Sequence, residues 1–242
     1  MRGLDFQIFG IPVRVEPIFL FIAAYLAYGL AGSDLVRVAL GVVLIFVAIL
    51  AHELGHAAAG LYYGLRPRIS LHGFGGLTAW GAGSRVTHGV NIVLSLGGPI
   101  VSLVCGVTAL LVLYVLAEPE SGFFSFVFFS WEPLIYLLGW QGSLKGFLLD
   151  TFIWVNLGWA IFNLMPVTPL DGGQVLRSTL GLVIPRQAAT VAAVIALIVL
   201  GLIFAWLVKR TGTLPSLWNM LLLGLLASEN IKVLSGSGRE PH

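Results

Sequence analysis

The residues that could do chemistry stand together in one apolar run, as His52, Glu53 and His56 in Ala51-His52-Glu53-Leu54-Gly55-His56. Ionisable side chains inside an apolar span are costly to bury and are functional candidates for that reason. Residues four apart share a helix face. The two imidazoles can therefore bind one Zn2+, with Glu53 pointing toward a water held by that metal, as in HExxH sites. The competing reading is three polar residues packed among helices. Without a metal they would need several other intramembrane partners, and the chain has few.

Two histidines leave a catalytic zinc one protein ligand short, and the candidates are Asp171, Glu132, His72 and His88. Depth favours Asp171. Counted from Leu35 at the helix rise, His52 to His56 lies roughly 25–32 Å along its span, in the half facing the end of the span that precedes Asp171. Glu132 falls on the opposite face of the membrane. Asp171 also follows an unusual frame, Asn163-Leu164-Met165-Pro166-Val167-Thr168-Pro169-Leu170-Asp171-Gly172-Gly173. Its two prolines break a helix, and broken backbone at membrane depth is tolerated where it lines a protein or water cavity. The plainer alternative makes Asp171 an N-cap with Gln174 at the third helical position. His72 reads more simply as a loop histidine and His88 as an interfacial one.

The elements that must position these groups follow from composition. Of 242 residues, 58% are hydrophobic and only 10% charged, with a mean hydropathy of +0.97. Soluble domains carry about 25% charge, so the chain is a membrane protein. The same figures exclude a soluble enzyme, a disulfide-stapled domain (there is one cysteine, Cys105) and, at a net charge of +2, a nucleic-acid binder. Runs near the length of a spanning helix occur at 17–31, 35–63, 90–117, 150–165, 187–208 and 214–227, the first two joined only by Gly32-Ser33-Asp34. The fold class expected is an all-α polytopic membrane protein of about six transmembrane helices with a small membrane-associated β-hairpin, Arg68–His72 and Gly76–Trp80. The aromatic stretch 118–145, broken by Pro133 and Gly139, reads as re-entrant or interfacial. If six spans alternate, Arg2, Arg14, Arg66, Arg68, Arg85, Arg177, Arg186, Lys232 and Arg239 share one side, nine of 13 basic residues. The positive-inside rule then puts both termini, the hairpin and the active-site side in the cytoplasm.

His52-Glu53-Leu54-Gly55-His56 on one span, with Asn163-x-x-Pro166 running into Leu170-Asp171-Gly172 after a later one, resembles the site-2 protease family of intramembrane zinc metalloproteases. Ile11–Val15, Gly75-Gly76 and Gly97-Gly98-Pro99 support the resemblance, which covers about 11–173. It implies that His52, His56 and Asp171 bind one zinc per chain, that Glu53 is the general base, and that Asn163, with Pro166 beside it, holds or polarises substrate. Ser102 departs from the family pattern, since many relatives carry Asn there. The organisation expected is a single transmembrane metalloprotease domain over 1–242, with core 35–173, accessory helices 17–31, 187–208 and 214–227, and no PDZ or CBS domain. The implied partners are transmembrane protein substrates and the lipid bilayer of a bacterial or archaeal plasma membrane, with a regulatory membrane partner or a homo-oligomer left open.

Two rival classes remain at this stage. A metal or proton transporter would show paired acidic residues across the bilayer or an internal repeat, and neither is seen. A catalytically inactive scaffold would have no need of Glu53.

Overall fold

The computed structural model describes residues 3–81, 86–117 and 138–236. In chain order its elements are β1 (Leu4–Ile8), β2 (Ile11–Val15), α1 (Pro17–Ala31), α2 (Leu35–Tyr62), β3 (Arg68–His72), β4 (Gly75–Ala79), α3 (His88–Ala117), α4 (Leu144–Asn163), α5 (Asp171–Val183), α6 (Ala188–Thr211) and α7 (Leu217–Leu234). Among these residues α2, α3, α4, α6 and α7 are long and apolar enough to cross a membrane. Helix α1 has 15 residues, fewer than the about 20 that a perpendicular span takes.

The chain folds as two compact units, one of Met1–Ser84 with Gly97–Ile161, the other of Arg85–Leu96 with Phe162–His242. In the first, Pro17 opens α1 at a position where its missing N–H costs nothing. Gly32, at φ +62°, ends that helix. Asp34 then caps α2 by accepting from the backbone N–H groups of Val36 and Arg37. Helices α1 and α2 approach closely because Ala27 faces Gly41, where an added Cβ would lie 3.0 Å from the alanine methyl. Without a hydrophobic drive between helices in lipid, small residues of this kind permit the contact.

The expected two-stranded hairpin is half of a larger sheet. Four strands run in the order β1-β2-β3-β4, with β1–β2 and β3–β4 antiparallel and β2–β3 parallel. A lone hairpin is marginal in water. Here the alternating residues Ile11, Val13, Val15, Ile69 and Leu71 are buried against Phe19 and Ala23 of α1 and Ile45 and Ile49 of α2. Pro12 obscured β2, since proline cannot donate to a ladder. It pairs only with Gln7 of β1, and the β2–β3 ladder starts one residue later at Val13↔Ile69. Arg14 faces Asp5 across β1–β2 at 2.7 Å, and the hydrogen bond from its guanidinium holds the exposed Asp5 carboxyl below its ordinary range.

Also within this unit, Leu110 and Leu113 of α3 pack with Ile153 of α4. The second unit is built on Val167, Ala196, Leu200 and Leu226. It contains α5, a 13-residue helix too short and too polar to have been read as a span. The expected re-entrant stretch lies outside the described residues from 118 to 137, and α4 already begins at Leu144.

Candidate active site

Helix α2 brings His52, Glu53 and His56 together in the first unit, all under 8% exposed. The i, i+4 spacing turns the two imidazoles toward each other with their Nε2 atoms 3.2 Å apart and the rings edge to face. Two ring nitrogens that close must share a proton or a cation, because two bare lone pairs would repel.

The surroundings of the pair are glycine-built. Gly55 and Gly97 let α2 and α3 cross backbone to backbone, a Cβ on Gly55 falling 2.4 Å from the Gly97 carbonyl oxygen. One residue on, a Cβ at Gly98 would sit 2.3 Å from His56 Nε2 and 2.6 Å from His52 Nε2. The space in front of both nitrogens therefore exists only because residue 98 has no side chain. The Gly98 N–H also lies 3.3 Å from His56 Nδ1. One turn further along α3, the buried Ser102 places its hydroxyl 3.1 Å from His52 Nδ1. With the hydrogen on Nδ1 donated to Ser102, the His52 Nε2 lone pair is directed inward, as a metal-ligating histidine requires. The departure from the family pattern at Ser102 thus falls on a residue that orients His52.

Glu53 is held from the other side by the sheet. Thr78 of β4 donates from its hydroxyl to Glu53 Oε2 at 2.7 Å and lies 3.2 Å from the Glu53 carbonyl oxygen. Gly76, on the same face of β4, leaves room for the carboxylate, since a Cβ there would lie 2.4 Å from Glu53 Oε1. The outer strand of the sheet therefore lies against the candidate base. Trp159 of α4 adds an edge-on ring contact to His52.

The remaining predicted residues lie in the second unit. Asn163 ends α4 and is buried. The segment that follows carries Pro166 and a cis Thr168–Pro169 bond, and Asp171 is the first residue of α5. The N-cap is Leu170, with no side-chain cap bond, so the capping alternative for Asp171 is not what forms. Gly172 and Gly173 press the start of α5 onto the preceding backbone, where their Cβ atoms would lie 2.1 Å from the Leu164 carbonyl oxygen and 2.4 Å from the Thr168 nitrogen. His72 is the last residue of β3 rather than a loop residue, and its Nδ1 accepts from the Phe74 N–H at 3.2 Å. His88 begins α3 with its ring against Gly181 of α5. Glu132 lies outside the described residues.

Sequence reasoning did not single out Thr78 or assign Ser102 a task. Ser102 is four residues from Gly98 and so shares its helix face, and Thr78 shares a strand face with Gly76. Those periodicities were the available signal.

Known proteins resemble the chain in sequence and in fold. Residues 140–207 match the family described as Peptidase family M50. The zinc metalloprotease MJ0392 of Methanocaldococcus jannaschii is 29% identical over 202 residues, covering 81% of this chain and 52% of that protein. A relative from Synechocystis sp. is 30% identical over 231 residues, 90% of this chain and 53% of its own length. The chain thus spans about half the length of the relatives it matches by sequence. A solved structure, the site-2 protease from Methanocaldococcus jannaschii, shares the fold with a TM-score of 0.60 at 21% identity, over 99% of this chain and 97% of that one. The two sequence relatives, the match over residues 140–207 and the common fold together make the chain similar to zinc metalloproteases of peptidase family M50 and, in fold, to the site-2 protease of Methanocaldococcus jannaschii.

Proposed function

We propose that the chain is an intramembrane zinc metalloprotease that hydrolyses peptide bonds in or near the transmembrane segments of membrane proteins. One observation carries this reading. Two imidazoles converge within 3.2 Å on a space kept open by Gly98, with a buried carboxylate next in sequence, on a helix apolar enough to span a bilayer. Neutral imidazole and carboxylate form the donor set of a catalytic zinc site, so these residues fit the metal. His52 and His56 would hold it with Asp171 as third ligand, one zinc per chain. When bound, zinc supplies Lewis acidity toward a water and a peptide carbonyl.

The protein's own groups do the rest. Glu53 accepts a proton from the attacking water and returns it to the leaving nitrogen. Ser102 fixes the His52 ring and Thr78 fixes the Glu53 carboxylate. Asn163, with Pro166 shaping the backbone after it, holds or polarises the substrate carbonyl. A substrate helix must unwind first, because its carbonyls are engaged in intrahelical bonds. The outer strand β4 would then receive the extended chain by strand addition. The multi-pass chain would sit in the plasma membrane with both termini and the active-site side cytoplasmic.

Co-expression with a panel of single-span membrane proteins, comparing wild type with Glu53→Gln, tests this. Fragments should form with wild type and not with the variant. Identical fragments from both would remove Glu53 from the mechanism.

A further inference from the structure

Asn230 of α7 is wholly buried, an expensive place for an amide. Its Nδ2 donates to the Thr168 carbonyl oxygen at 2.7 Å and to the Leu226 carbonyl oxygen at 2.8 Å. Its Oδ1 has no hydrogen-bond partner among the described residues. The orientation is dictated, because exchanging oxygen and nitrogen would aim Oδ1 at two carbonyl oxygens. Leu226 needs nothing from the amide, since helix carbonyls are ordinarily paired within the helix. The bond that distinguishes asparagine from an apolar residue at this position is therefore the one to Thr168, 62 residues away in sequence.

Thr168 belongs to the segment that delivers Asp171. That segment is anchored by Val167, fully buried with Ala196, Leu200 and Leu226. It is fused to the first turn of α5 by the backbone contacts at Gly172 and Gly173. The Val167 anchor fixes where the segment sits. A single apolar side chain can still pivot, and a directed hydrogen bond to the next carbonyl stops the pivot. Thr168 is three residues before Asp171, so a rotation there would move the carboxylate.

We infer that Asn230 is the positioning residue for Asp171, acting from the last helix through the Thr168 carbonyl. The inference rests on the zinc-ligand reading of Asp171 given above. Residues that orient a ligand without touching the metal are worth about 10–100-fold in metal affinity.

The test uses the full chain purified in detergent, with Asn230→Leu, Asn230→Ala and, as a packing control in the same core, Leu226→Ala. Three quantities are measured: Zn2+ affinity by chelator competition, the ligand-field spectrum of the Co2+-loaded protein, and amide exchange at Val167, Thr168 and Leu170 in metal-free protein. Both Asn230 variants should weaken zinc binding by about 10–100-fold, alter the Co2+ bands and accelerate exchange at the three amides, with α6 still protected. Leu226→Ala, which loosens packing around Val167 but leaves the amide in place, should lower the affinity and shift the Co2+ bands less than either Asn230 variant. Wild-type affinity and spectrum in Asn230→Leu or Asn230→Ala would overturn the inference, as would equal losses in Leu226→Ala. If Asn230→Leu unfolds α6, the smaller alanine variant decides. Full zinc retention in Asp171→Ala would instead remove the ligand reading, and the exchange data would still show whether Asn230 holds the segment.

Discussion

The histidine pair on α2 and the segment that carries Asp171 are built by opposite means. On α2, helical periodicity alone turns His52 and His56 toward each other, and glycines on the neighbouring helix and strand make room. Around Asp171 the backbone is broken, and the residue is placed by a buried valine, two glycine contacts and an amide from α7. A helix positions ligands through its repeat and tolerates change elsewhere. A broken segment places the residue that follows it through individual contacts, each of which can be removed singly.

The difference can be sharpened by substitution. The largest effect is expected from Gly98→Ala, which places a methyl 2.3 Å and 2.6 Å from the two Nε2 atoms. Metal analysis should find zinc lost and cleavage absent, with detergent-solubilised helicity retained. Retained zinc would mean that the space between the imidazoles is not the metal's. Thr78→Val removes the hydroxyl that donates to Glu53. Hydrogen bonds to charged groups are worth about 1.5–3 kcal/mol, so cleavage should fall by about tenfold or more while zinc content stays at wild type. Thr78→Ser should recover most of the rate. The smallest effect belongs to Ser102→Ala, which leaves both ligands in place. Zinc affinity should fall by about tenfold, read by chelator competition, and excess zinc should restore cleavage.

Legibility in the sequence follows the same division. The boundaries of α1, marked by Pro17 and Gly32, and of β3 were read as they form, because proline, glycine and residue alternation act locally. The approach of His52 to His56 on α2 was legible because their spacing is the helix repeat itself. Strand β1 went unread and β2 served only as a supporting motif: each has five residues, and Pro12 argues against a strand until its one-sided pairing is seen. Helix α5 was hidden because it is neither long nor apolar enough to register as a span. Thr78, Ser102 and Asn230 act on partners 25, 50 and 62 residues away. No local pattern encodes such distances, and only the folded chain brings those groups together.

Zinc content of the purified chain and three variants tests the central claim most directly. Wild type should hold about one zinc, as one HExxH pair and one Asp171 make one site. Glu53→Gln should also hold about one and cleave nothing, since it removes the base and no ligand. His52→Ala and Asp171→Ala should each lose the metal together with cleavage. Full occupancy in Asp171→Ala, or cleavage by Glu53→Gln at the wild-type rate, would contradict the account.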